Sequence, residues 1–106
     1  MTADPRSGDV WWVESPNKKR RPFVVLTRSA AVPVVARLVA APITSRRRGI
    51  PTEVALDEED GMRHACVVAI DNMQLIPKWA FVERLAILTE ERRAAVCRAV
   101  AVSIEC

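Results

Sequence analysis

A run of four cations, Lys18-Lys19-Arg20-Arg21, ends at a proline, and Pro22 opens an apolar stretch from Phe23 to Thr27. Proline fixes its own φ and pushes the preceding residue toward extended backbone. Arg21 is therefore expected at the mouth of a rigid strand rather than in a loose tail. A second segment repeats the plan: Val39-Ala40-Ala41-Pro42-Ile43-Thr44 runs into Ser45-Arg46-Arg47-Arg48. We read the two strand ends as meeting and holding a nucleic-acid phosphate between Arg21 and Thr44.

The rest of the chain fits strands around these two. Val10–Val13, Pro22–Thr27, Val34–Ala41, Glu53–Leu56, Ala65–Ile70, Met73–Ile76 and Val82–Leu88 are strand-length apolar runs separated by turn residues. Arg37 should face outward, and Ala65–Ile70 should be buried on both faces. Trp11 and Trp12 are adjacent, so one of them faces the other side of the sheet, where it covers a core edge or subunit interface or stacks on a base. A 3₁₀ turn is expected at Ser29–Pro33, and a tight turn at Pro77–Ala80. Thr89 caps a helix from Glu90 to Ser103, with acids in the first turn and Val96, Ala99, Val100 and Ile104 as its apolar stripe. The expectation is one mainly β domain over residues 1–106 with a C-terminal α-helix, built as a small barrel or highly curved sheet. Residues 1–7 are expected to form a flexible leader.

Charge is strongly asymmetric. Every charged residue from Ser15 to Thr52 is Lys or Arg, whereas Glu53, Asp57, Glu58, Glu59 and Asp60 follow closely. A basic first half suits a polyanion, although a lopsided solvated surface has the same composition. No apolar run reaches bilayer length and no signal-peptide core opens the chain, so a soluble cytoplasmic protein with no membrane contact is expected. Cys66, Cys97 and Cys106 form no CxxC pair. No disulfide framework, metal site or cofactor is expected; Cys66 and Cys97 are assigned to the core, and Cys106 is a terminal thiol open to crosslinking. His64 is the one residue suited to ordinary acid–base chemistry, but it follows the acidic turn and is expected to lie away from both cationic strands.

Gly8-Asp9-Val10-Trp11, Arg21-Pro22-Phe23-Val24-Val25-Leu26, Pro42-Ile43-Thr44-Ser45, Glu53-Val54 and the segment Val68 to Gln74 occur in a recognisable order. Over residues 8 to 104 the chain resembles the MazF/PemK (Kid-like) toxins of bacterial toxin–antitoxin systems. The resemblance implies an SH3-like barrel of the CcdB/MazF type, a homodimer, and metal-independent, sequence-selective cleavage of single-stranded RNA, mainly messenger RNA. It further implies 2′,3′-cyclic phosphate and 5′-hydroxyl ends, and a cognate MazE-like antitoxin peptide that blocks the RNA groove. The family's catalytic pair falls on Arg21 and Thr44. One departure is clear: many members carry a longer, often Gly-rich loop before this arginine, and here the loop is only Glu14 to Arg20.

Alternatives accompany each residue. Taken alone, Arg21 is equally a solvated cation, and Thr44 more readily a turn hydroxyl. Lys18, Lys19, Arg20, Ser45, Arg46, Arg47 and Arg48 are read as an RNA-contacting rim. Asn72 and Gln74 can read base edges, or serve as a turn amide and a sheet-surface amide. The rival functions are a gyrase-poisoning toxin of the CcdB type and a catalytically inactive RNA- or protein-binding barrel. The first of these resembles a scaffold whose helix ends in Trp-Gly-Ile, whereas this chain ends Ser103-Ile104-Glu105-Cys106.

Overall fold

The computed structural model describes residues 4–104. Strands β1 (Asp9–Glu14), β2 (Arg20–Val25), β3 (Arg37–Thr44), β4 (Glu53–Leu56), β5 (Cys66–Ala69), β6 (Gln74–Pro77) and β7 (Phe81–Ile87) precede helix α1 (Glu90–Ser103). They form an antiparallel sheet in the order β4-β5-β3-β2-β1-β7, with β6 also paired to β3. β4 and α1 occupy the spans expected from the sequence. Thr89 caps α1 by accepting the Arg92 amide through its side chain.

The mainly β architecture with one C-terminal helix is the expected one, and of its two expected forms, barrel or curved sheet, the structure shows the open sheet. β4, β6 and β7 each pair with a single neighbour. β5 joins β3 only at Ile43↔Val68 and Thr44↔Val67, and β4 follows β5. Val54, Leu56, Cys66 and Val68 of this pair pack against Val10, Val24 and Ala41 of the central strands. Val96 and Ala99 of α1 complete that cluster, so a helix rather than a closing strand pair seals it. The other face buries Trp11, Val13, Phe23, Val25, Leu38 and Ala40 against Val32, Ala80 and Phe81. The central strands are thus covered on both sides, which explains their near-continuous apolar character.

Several boundaries move for identifiable reasons. β2 ends at Val25 rather than Thr27, because the Leu26 and Thr27 amides both donate to the Val39 carbonyl and interrupt the ladder. Thr27 accepts the Val39 amide through its side chain at 2.7 Å. β3 begins at Arg37, which is exposed as expected, because Val34 and Val35 are held in turns by amide bonds to the Ala31 carbonyl. It then runs through Pro42 to Thr44, so Thr44 is a strand residue rather than one beyond the strand. Pro42 lies between the stretch of β3 paired to β6 and the stretch paired to β5. A missing N–H costs least where the neighbouring ladder is already interrupted.

Trp11 is buried and Trp12 half-buried, so it is Trp12 that faces the other side. Cys66 is a core residue, but Cys97 is exposed; next to Val96 on the helix, it is rotated off the buried stripe. Ile104 is also exposed, because it is the extended cap residue beyond the last helical turn. Met1–Ala3 of the expected leader and Cys106 lie outside the described residues. The described part of that leader is fastened: Pro5 is buried, and the Arg6 and Ser7 amides donate to the Asp9 carboxylate and the Ser29 hydroxyl.

Asp9 is the reason. Only 2% exposed, its Oδ2 accepts the Arg6 amide at 2.9 Å and the Trp11 indole N–H at 3.2 Å, and lies 3.8 Å from Arg84 Nη1. Gly8 beside it has φ +86°, a conformation that side chains disfavour, and Arg93 of α1 lies against its backbone. The Gly8-Asp9 pair therefore ties the chain start, β1 and β7 together. Asp9→Ala leaves a buried indole donor and an arginine without their acceptor, and is expected to lower stability by about 3 kcal/mol in urea denaturation.

Candidate active site

The β2–β3 ladder runs Val25↔Ala40, Val24↔Ala41, Phe23↔Pro42 and stops there. Continuing the same register would set Pro22 opposite Ile43 and Arg21 opposite Thr44. Pro22 has no amide hydrogen to return across the next pair, Pro22 and Ile43, so the ladder ends at this point. On its other side β3 stays paired, through Thr44↔Val67 to β5. β2 meanwhile stays paired to β1 through Val13↔Arg21 and Glu14↔Arg20. Each strand end is held by its outer neighbour while the inner ladder is open.

Arg21 and Thr44 line the cavity left in this opening, about 450 Å³ in volume, together with Ser45, Arg46, Arg48, Glu53 and Asn72. Arg21 is exposed, and among the described residues it forms no ion pair, whereas Arg20 pairs with Glu14 at 3.3 Å and Glu83 at 3.9 Å. Its guanidinium fork is free to take an anion. Thr44 is half-buried and its Oγ1 accepts the Arg46 amide at 3.2 Å, which leaves the hydroxyl proton available to donate. An unpaired arginine and a free O–H on one cavity wall are the kind of donors that an oxyanion accepts from.

Glu53, which was not among the expected site residues, shapes the cationic loop. Its carboxylate accepts the Arg48 amide at 2.9 Å and the Gly49 amide at 3.0 Å. This draws the loop over the cavity. Glu53 is the first acid after the basic half, and that position was the available signal. Asn72 sits on the 3₁₀ turn Ile70–Asn72, where the neighbouring Asp71 accepts the Thr52 hydroxyl at 2.6 Å.

The remaining rim residues divide. Lys18 and Lys19 are exposed on the β1–β2 turn, where Lys18 adopts a left-handed φ of 63° and its amide donates to the Ser15 carbonyl. Lys19, Arg21 and Gln74 line an adjoining groove with the exposed Trp79 and Leu75. Arg46 and Arg48 line the Arg21 cavity, while Arg47, also exposed, does not. Glu14 and Ser15 are engaged within the short loop, Glu14 with Arg20 and Ser15 with Asn17 and the Lys19 carbonyl.

His64 corrects the expectation that it lies away from the cationic strands. It shares a second cavity of about 450 Å³ with Pro22 of β2 and Thr44 of β3. The sequence places it after the acidic turn, but β5 returns antiparallel along the end of β3 and brings the residues before it close. Among the described residues no group of three or more His, Cys, Asp and Glu side chains is placed to hold a metal ion.

The profile of PemK-like, MazF-like toxins of type II toxin–antitoxin systems matches residues 6–104. The chain is 38% identical to a probable endoribonuclease MazF5 of Mycobacterium tuberculosis, across 100% of this chain and 98% of that one. The fold is similar to the solved structure of the Mycobacterium tuberculosis toxin MazF-mt6, with a TM-score of 0.82 and 29% identity over 90% of this chain and 94% of that one. It is also similar to a MazE–MazF crystal structure from Deinococcus radiodurans, with a TM-score of 0.81 and 28% identity over 95% of both chains.

The two described thiols differ in exposure, Cys66 being buried and Cys97 exposed. Burial pushes the Cys66 thiol above its ordinary value, the Asp60 and Asp57 carboxylates add to this, and the Arg47 charge opposes it. A raised value means that the reactive thiolate appears only at more alkaline pH. Iodoacetamide at pH 8 is expected to modify Cys97 and spare Cys66 until the protein is unfolded, as read by peptide mass spectrometry.

Proposed function

Because the chain belongs to the PemK-like, MazF-like toxin family of type II toxin–antitoxin systems, we propose that it is an endoribonuclease that cleaves single-stranded RNA at a phosphate held between Arg21 and Thr44. The observation that carries this reading is their placement on one cavity wall, with the arginine unpaired and the hydroxyl proton free.

The chemistry needs little from the protein. The RNA 2′-oxygen forms a bond to phosphorus while the bond to the 5′-oxygen breaks. The 2′-proton passes to water, and the 5′-oxygen leaves as a hydroxyl after gaining a proton. The products are a 2′,3′-cyclic phosphate and a 5′-hydroxyl, and no metal is required. The protein's part is to align the 2′-oxygen and to stabilise charge on the five-coordinate phosphorus. Arg21 spans two phosphate oxygens with its fork, a geometry that lysine cannot reproduce. Thr44 donates to a phosphate oxygen or to the departing oxygen. Arg21 is not a base, since a guanidinium stays protonated.

The functional unit in this reading is a cytoplasmic homodimer acting on messenger RNA. Its antitoxin, a MazE-like partner as in the Deinococcus radiodurans complex, lays a segment over the groove beside Arg21. That groove offers the apolar anchors such a segment needs, since Leu75 and Trp79 are 62% and 71% exposed. Lys18, Lys19, Arg20, Arg46, Arg47 and Arg48 supply non-specific attraction to phosphate, while Ser45, Asn72 and Gln74 contact the strand itself.

Incubation with a long single-stranded RNA in EDTA tests the reading. Cleavage to 5′-hydroxyl ends is expected, and Arg21→Ala and Thr44→Ala should each reduce kcat by about a hundred-fold or more, the scale of a lost oxyanion donor. Arg21→Lys should not restore it. Intact RNA together with inhibited gyrase supercoiling would place the chain with the CcdB type instead. Lys18→Ala and Lys19→Ala are expected to leave the cleavage sites unchanged and to lower the slope of log K against log salt by about 0.7 each.

A further inference from the structure

The cavity shared by Thr44 and His64 has no role in the chemistry above, yet it adjoins it directly. Side chains alternate along a strand. The β1–β2 register therefore places Val13, Arg21 and Phe23 on one face and Trp12, Pro22 and Val24 on the other. On β3 the corresponding division is Pro42 and Thr44 against Ala41 and Ile43. The phosphate cavity and the His64 cavity are thus on opposite faces of the sheet at one corner, and the Ile43–Ser45 end of β3 forms a wall of both.

The two cavities differ in chemistry. One has three arginines, Arg21, Arg46 and Arg48, on its wall. The other has Trp12, paired directly with Pro22 across the β1–β2 ladder, above a floor that includes the buried Met62 and Cys66. The exposed His64 and Arg63 stand at its rim. Its volume of about 450 Å³ lies within the range of small-molecule sites. A half-buried indole, an apolar floor and polar rim groups are what an unstacked nucleobase requires: a ring to stack on and donors for its edge.

We propose that this cavity is a nucleobase subsite, in which one of the two bases flanking the scissile phosphate stacks on Trp12 and presents its edge to His64 and Arg63. The inference rests on the ribonuclease reading for the identity of the strand. The RNA crosses the end of β3, its phosphate against Arg21 and Thr44 on one face and the adjacent base over the other. Such a base is drawn out of its own stack, which favours flexible single strands over duplex.

A binding scan tests this without relying on turnover. A fluorescently labelled oligonucleotide, 2′-deoxy throughout so that it cannot be cleaved, carries a single abasic site at each position in turn, and anisotropy gives its affinity for the wild-type protein and for Trp12→Leu. In the wild type, the abasic site at one position is expected to weaken binding by about ten-fold or more, the effect of losing one base–aromatic stack. In Trp12→Leu the same abasic site should cost nothing further, and Trp12→Phe, which keeps a ring, should restore the penalty. His64→Ala should reduce discrimination among the four bases at that position and at no other. Equal abasic profiles in wild type and Trp12→Leu, with both proteins melting cooperatively, overturn the subsite, as does absence of binding by the wild type. Failure of wild-type protein to cleave RNA, with the Trp12-dependent position retained, overturns the ribonuclease reading and leaves the subsite standing.

Discussion

The interruption of the β2–β3 ladder at Phe23↔Pro42 is the constraint on which the site depends. Backbone donors and acceptors inside a sheet are costly to leave unpaired, so a cleft between adjacent strands is ordinarily expensive. Proline changes that balance. With Pro22 at the end of the ladder, one of the donors that would be stranded is absent from the outset. The flanking pairs then keep both strand ends rigid, with Val13↔Arg21 on one side and Thr44↔Val67 on the other. Arg21 and Thr44 are presented from fixed backbone without a hydrogen bond being broken to separate them.

This also sorts the four leading cations. Lys18 and Lys19 lie on the turn and Arg20 is committed to Glu14 and Glu83. Arg21 follows them on the same strand edge and is the one left with an open cavity in front of it. Four neighbours of the same charge therefore differ in what they can bind, because pairing and backbone position differ while net charge does not. The acidic residues of the second half contribute as well: Glu53 holds the arginine loop by its backbone amides, and Asp60 holds Arg92 of α1 at 3.1 Å. In both places a carboxylate organises a positive segment rather than merely offsetting it.

The sequence revealed what local chemistry dictates. Proline marked the two strand ends, alternation marked Val54 and Leu56 of β4, and the Thr89 cap with its following acids marked α1. The family resemblance, more than local chemistry, singled out Arg21 and Thr44, and both line one cavity. What the sequence concealed was tertiary. That the sheet stays open rather than closing was not legible, because β3 exchanges β6 for β5 along a single edge, which no local pattern records. His64 was misplaced because its position depends on how β5 returns beside β3. Cys97 was assigned to the core as a small apolar group, although it stands one residue, a rotation of about 100°, from the buried Val96. Asp9 enters the sequence only as part of a motif, and only the fold reveals it as the acceptor for Arg6 and Trp11 and the partner of Arg84.

The alternation of Arg21 with Pro22, and of Ile43 with Thr44, bears on how such a chain can change over time. Moving either strand by a single residue exchanges the two faces, sending the guanidinium to the Trp12 side and the proline to the phosphate side. Insertions and deletions within β2 or the end of β3 are therefore closed to gradual variation, whereas the turn from Ser15 to Lys19 lies outside that parity. Loop length is free to drift, and the short loop of this chain is one outcome, while the spacing between strand residues is held by a simple even–odd rule.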